Sequence, residues 1–91
     1  MREISSKERA ELIRKGNELF NKKEIEKAAK IFAAVDYKDG LIRVGDYYYK
    51  KGQMIFALKY YNMANYRKRI DEAVQNIISV FKLWVQQDKN E

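Results

Sequence analysis

The sequence predicts an all-α protein, and three observations carry that prediction. Apolar residues recur every three to four positions along most of the chain; the pattern repeats after 29 residues; and 91 residues contain no proline and only four glycines. The first observation marks the buried stripe of amphipathic helices. The last leaves long stretches free of the residue that ends or kinks them.

Ser5-Ser6-Lys7-Glu8 has the spacing of a capping box, with Ser5 as N-cap and Glu8 reaching back to its amide. The helix it opens runs to about Asn21, with Leu12, Ile13, Gly16, Leu19 and Phe20 on one face. Lys22 and Lys23 suit its C-terminal end, where cations meet unsatisfied carbonyls. A second helix spans about residues 23–35, with Ile25, Ala28, Ala29, Phe32 and Val35 inward and Glu26 able to pair with Lys30 outside. Asp36-Tyr37-Lys38-Asp39-Gly40 reads as the clearest turn. A third helix, about residues 41–50, stops at Lys51-Gly52, where Gly52 suits the left-handed C-terminal position. The fourth, about residues 53–65, turns Met54, Ala57, Leu58, Tyr61 and Ala64 inward. The last covers about residues 67–88 with a long stripe of Ile70, Ala73, Val74, Ile77, Ile78, Phe81, Trp84 and Val85.

Composition narrows the function classes. With neither Cys nor His, the chain lacks thiolate ligands, disulfides and the commonest general acid–base group. No cofactor or metal site is expected, and no catalytic residue is assigned. The carboxylate pairs Asp36/Asp39 and Asp71/Glu72 stand without a base, a nucleophile or a phosphate-cradling loop, and the second pair suits a helix N-terminus. No apolar run reaches the roughly 20 residues needed to span a bilayer. Met1 to Lys7 lacks the apolar core of a signal peptide, so the expected location is the cytoplasm. The net charge of +6 favours acidic partners, although thirteen carboxylates are interleaved with nineteen cations. Usage rich in Lys, Ile, Asn and Tyr fits an AT-rich, bacterial-type source.

Internal self-similarity is the strongest signal. Leu12-x-x-Lys15-Gly16-x-x-Leu19 followed by Ala28-x-x-x-Phe32 is echoed by Leu41-x-x-Val44-Gly45-x-x-Tyr48 followed by Ala57-x-x-x-Tyr61. One more step of 29 reaches Ile70-x-x-Ala73-Val74-x-x-Ile77, so the final helix starts as a third repeat and then overruns it. This pattern resembles the tetratricopeptide repeat over about residues 6–77, in a shortened form: the period is 29 rather than 34, the closing Pro is missing, and Leu12 and Leu41 stand where the family has Trp. The resemblance implies a single domain with repeat one at about residues 6–35, repeat two at about 39–66 and a capping helix at about 67–88. It further implies a right-handed superhelical array of five helices, in which Gly16 and Gly45 admit the second helix of each pair while Ala28 and Ala57 fill the crossing.

It also implies a binding groove along the first helices of the pairs. Carried over, the partner-binding residues are Ile13, Arg14, Asn17, Phe20 and Asn21, then Ile42, Arg43, Asp46, Tyr49 and Lys50, with Asp71, Gln75 and Ile78 from the last helix. Asn17 matches the family's recurrent groove asparagine. Ile13 replaces the clamp lysine and Asp46 the second asparagine, which argues against an anionic C-terminal tail as ligand. The opposing reading is that these apolar residues pack against the closing helix and leave no open groove. Leu83, about 160° from Phe81 around the helix, lies off the main stripe and with Val80 suggests a second contact face.

The expected function is therefore a protein-interaction module, an adaptor or assembly factor that binds a peptide or helix of a partner. Two alternatives stay open. One is nucleic-acid binding through Tyr47, Tyr49, Tyr60 and Tyr66 beside Arg67, Lys68 and Arg69, because aromatic faces stack on bases and cations neutralise phosphates. The other is a homo-oligomeric structural subunit assembled through Val80, Leu83 and Trp84.

Overall fold

The computed structural model describes residues 3–89 of the chain. Five helices follow one another: α1 (Ser6–Asn21), α2 (Ile25–Ala34), α3 (Lys38–Lys50), α4 (Met54–Met63) and α5 (Arg67–Lys89). Among the described residues there is no strand, and the fold class is all-α. Each helix packs on the next, so α1 lies on α2, α2 on α3, α3 on α4 and α4 on α5.

All four connections are the same turn. Each is three residues long, and its middle residue is left-handed: Lys23 (φ 69°), Asp36 (φ 51°), Gly52 (φ 77°) and Asn65 (φ 53°). In each, the residue after it donates its N–H to a carbonyl five positions back: Glu24 to Leu19 (2.9 Å), Tyr37 to Phe32 (2.8 Å), Gln53 to Tyr48 (2.9 Å) and Tyr66 to Tyr61 (3.0 Å). This closure satisfies carbonyls that the helix end would leave bare. At the other end of α1, the Ser5 hydroxyl accepts from the Glu8 amide at 3.1 Å, and the Glu8 carboxylate accepts from the Ser5 amide, completing the capping box.

The repeat of 29 survives in three dimensions. Gly16 and Gly45 sit where a Cβ would come within 2.5 Å of the rings of Phe32 and Tyr61 respectively. Ala28, Ala57, Phe32 and Tyr61 are all fully buried. Only glycine in the first helix and alanine in the second allow an aromatic ring to lie flat in the crossing.

Three local expectations are corrected. The segment 36–40 is not a five-residue turn: α3 begins at Lys38, three residues before the expected start, and Asp39 and Gly40 are helical. Gly40 is there for space, since a Cβ would lie 2.6 Å from Cγ of Phe32 and 2.7 Å from both its Cδ atoms. Phe32 is therefore held between Gly16 of α1 and Gly40 of α3, and the left-handed turn residue is Asp36. On α2, the ion pair formed is Glu24–Lys27 at 3.1 Å rather than one between Glu26 and Lys30.

The third correction is the largest. The stripe on α5 is covered only in its first half, where Ala73 is buried and Ile70, Val74 and Ile77 are partly so. From Ile78 onward it is bare: Phe81 is 63% and Trp84 61% exposed. The cause is length. At about 1.5 Å per residue, the ten residues of α4 cover less than half of the 23 in α5. The overhang also explains the shape. The extents are 60 × 25 × 21 Å and the radius of gyration is 16.5 Å, against about 12 Å for a compact chain of this length. Among the described residues, no helix is long and apolar enough to cross a membrane.

Candidate interaction groove

A hollow of about 460 Å³ opens between the C-terminal halves of α1 and α3, lined by Phe20, Lys23, Arg43, Asp46, Tyr47, Lys50 and Lys51. None of these belongs to α5, which packs on α4. The closing helix therefore does not fill the hollow.

Two aromatic rings form its floor. Phe20 and Tyr47 meet edge to face, with centroids 6.4 Å apart and planes at 74°. Each ring carries a cation on its face: the Arg43 guanidinium lies 4.9 Å from the centre of Phe20, and the Lys51 ammonium 4.7 Å from that of Tyr47. Arg43 is further fixed by donating to the Asn17 side-chain oxygen at 2.8 Å. Four cations thus surround the hollow and one carboxylate, Asp46, enters it.

Asp46 is already engaged. It accepts a 2.5 Å hydrogen bond from the Tyr61 hydroxyl and lies 3.6 Å from Nε of Arg69, which in turn binds Glu72 at 2.6 Å. Burial, and then donation to the Asp46 carboxylate, hold the Tyr61 phenol well above its ordinary value of 10.0. The hydrogen bond to Glu72 comes first among the causes that raise Arg69 further. These side chains tie α3, α4 and α5 together. In the first repeat the equivalent positions are Asn17, Phe32 and Gly40, a set with no phenol, no acid and no base. The second repeat has changed all three together: the hydroxyl added at Tyr61 finds Asp46, and the charge of Asp46 finds Arg69.

Of the residues expected to bind a partner, the hollow gathers Phe20, Arg43, Asp46 and Lys50, with Asn17 supporting Arg43. Ile13, Arg14, Ile42 and Tyr49 do not line it. Ile42 packs against the core and Tyr49 against Tyr61, with centroids 6.4 Å apart; Ile13 is half-buried and Arg14 exposed. Gln75, Ile78 and Leu83 are exposed on α5, away from the hollow. Leu83 and Val80 are exposed on α5, as are Phe81, Trp84 and Val85 of the stripe.

The groove expected from the repeat left out Lys23, Tyr47 and Lys51, and Tyr47 was reached only as a nucleic-acid candidate, for a geometric reason. Residues 29 apart point the same way on successive helices, whereas a hollow between two helices is built from their facing sides. The partner of Phe20 is therefore Tyr47 and not its repeat equivalent Tyr49. The signal available was Tyr47 one turn before Lys51, beside a helix end already rich in lysine.

Comparison with known proteins found a relative in Treponema pallidum (strain Nichols), described as an uncharacterized protein. It is 33% identical over 82 residues, which is 90% of this chain and 75% of the relative. The chain belongs to the family of that treponemal protein. No family model matches the chain, and no solved structure matches it.

Proposed function

We propose that the protein is a binding module, not an enzyme, and that the hollow between α1 and α3 holds an acidic segment of a protein partner. The observation that carries this reading is the ratio of four cations to one carboxylate around an aromatic floor, with that carboxylate already hydrogen-bonded to Tyr61. A segment that alternates carboxylate and apolar side chains matches both components. The resemblance of the 29-residue repeat to the tetratricopeptide repeat favours the same location, since that family binds partners along its first helices. The reading departs from the expectation that the missing clamp lysine disfavours anionic ligands, because the cations here come from Lys23, Lys50 and Lys51 at the helix ends instead.

The nucleic-acid reading is the less favoured of the two. The rings of Phe20, Tyr47 and Tyr60 each carry a cation on one face, and Tyr48 stacks on Tyr60 at 5.8 Å with planes 9° apart, which leaves less ring surface for bases than the sequence offers. Arg69 is engaged with Asp46 and Glu72. Affinity capture tests the proposal, with wild type compared with Arg43→Glu/Lys51→Glu. The charge-reversed variant should lose the partners that wild type retains at low salt, and those partners should carry acidic segments. Equal capture by both proteins would overturn the assignment.

A further inference from the structure

The bare half of α5 fits one occupant in particular. Where α5 runs past the start of α4, a second hollow of about 330 Å³ opens, lined by Gly52, Met54 and Ile55 on one side and by Ile77, Val80, Phe81 and Trp84 on the other, with Asn76 at its edge. Ile55 is 68% exposed there. Between Ala73 and Gln87, Lys82 is the sole charged residue. At 100° per residue, Ile77, Ile78, Phe81, Trp84 and Val85 fall within about 120° of one another, and Lys82 lies outside that arc.

We infer that this face is the interface of a two-fold dimer, in which the overhanging half of α5 from one copy seats in the notch beyond α4 of the other. Three observations select a second copy. The first is shape. The exposed rings of Phe81 and Trp84 wall the notch and the bare turns with Ile78 and Val85 continue beside it, so one patch offers both a hollow and an apolar ridge, as a self-complementary two-fold interface requires.

The second is direction. A two-fold axis across α5 sets the two α5 helices antiparallel, so the partner's α5 runs the same way as α4. Its C-terminal half then lies in line with α4, just before Met54. Each α5 is covered along its length, by its own α4 first and by the other copy's α5 beyond.

The third is area. Ile55, Ile78, Val80, Phe81, Trp84 and Val85 together expose the equivalent of about three large side chains, or roughly 450–750 Å² at about 150–250 Å² each. A stable interface buries about 800 Å² per partner, of which about 56–65% is apolar. The face supplies that amount once. A monomer rarely leaves so much contiguous apolar surface in water. The seam also carries almost no charge, so two chains of net charge +6 meet where their repulsion is least.

The experiment is sedimentation equilibrium of the full chain, with acrylamide quenching of Trp84 in the same samples. The chain has one tryptophan, and it lies in the seam. Interfaces of this size hold with dissociation constants from micromolar to picomolar, so by about 100 µM the mass should be twice 10.9 kDa, with Trp84 protected in step. Trp84→Ala should weaken association about 30-fold or more, and Phe81→Glu should give a monomer with unchanged helical circular dichroism. A monomer at that concentration overturns the inference. So does a dimer in which Trp84 stays freely quenched, or open-ended association beyond two chains. Loss of partner capture by the α1–α3 hollow would leave this result untouched, because the two surfaces share no residue.

Discussion

Replacing Gly40 by alanine separates two roles for one glycine. As a turn residue it would tolerate alanine or lose a little through backbone strain. As a helical residue on an exposed surface, it would gain up to about 1 kcal/mol from the better propensity of alanine. The structure gives a third answer. The new Cβ would meet Cγ, Cδ1 and Cδ2 of Phe32 at 2.6–2.7 Å. Cγ lies on the axis of the Cβ–Cγ bond, so no rotation of the ring moves it away, and Gly16 lies against the same ring. Overpacking of this kind costs about 1–3 kcal/mol. With the upper part of that range offset by about 1 kcal/mol of helix propensity, the net loss is about 2 kcal/mol. For a domain of this size it corresponds to a melting temperature lower by about 8–16 °C. Urea titration followed by circular dichroism measures it, and Phe32→Ala supplies the second arm. Because alanine carries no Cγ or Cδ atom and so vacates the contested space, the double variant with Phe32→Ala should be more stable than the sum of the two losses predicts, with a coupling of about 0.5–3 kcal/mol. Gly52→Ala is the control: Gly52 has φ 77° and open space around it, so its loss is backbone strain that no change at Phe32 relieves. A neutral or stabilising Gly40→Ala, or strict additivity with Phe32→Ala, would refute the clamp.

Tyr61 gives a pH prediction. Its phenol is held above the unfolded value of 10.0, so the folded state keeps a proton that the unfolded state gives up. Stability from this group is fully present below about pH 10 and then falls by up to about 1.4 kcal/mol per pH unit as pH rises toward the folded value; Tyr61→Phe should flatten that part of the stability curve, and an unchanged slope would count against the Asp46 hydrogen bond. Asp46→Asn together with Arg69→Gly recreates the first repeat's set around a tyrosine; it should be tolerated far better when Tyr61→Phe is added, measured as a gain in urea midpoint. Ser5→Ala removes one half of the capping box and should lower stability by about 1 kcal/mol, with faster amide exchange confined to the first turn of α1. A chain ended after Ser79 loses Val80 to Gln87, which are exposed in the monomer, so its urea midpoint at low concentration should match wild type, whereas its dimerisation should be abolished.

Much of the fold was legible because its rules are local. Helix spacing, the capping box at Ser5 and Glu8, and the 29-residue echo of Gly16, Ala28 and Phe32 each follow from neighbours along the chain. The turns were harder. Gly52 announces a left-handed residue, but Lys23, Asp36 and Asn65 adopt the same conformation without glycine, held by the hydrogen bond that follows each. Gly40 was misread for the opposite reason: it resembles a turn glycine until Phe32 of the neighbouring helix is known to lie against it. Arg9 shows the same limit. Its guanidinium reaches the carbonyl of Val35 at 3.1 Å and that of Asp36 at 3.4 Å, clipping α1 to the turn between α2 and α3, and nothing near Arg9 in the sequence indicates this.

The candidate sites divide along the same line. Phe20, Arg43 and Asp46 were reached through the repeat, because their positions depend on which face of a helix they occupy. Tyr47 and Lys51 depend on how far α3 is rotated against α1, which the period alone does not fix. The stripe on α5 was read correctly as apolar, and the sequence left its surplus either to cap the array or to meet a partner, since periodicity records that a face requires a partner and is silent about whose chain provides it. Up to Ile77 the partner is α4. Beyond it, α4 has ended and the stripe continues for two more turns through Phe81 and Trp84 without a change of phase. A surface under no requirement for cover would be expected to drift toward charge over that distance, as the outer faces of α1 and α2 have done. That Lys82 is the single charge there, placed off the stripe, is the sequence's own argument that the second half of α5 is covered in the working molecule.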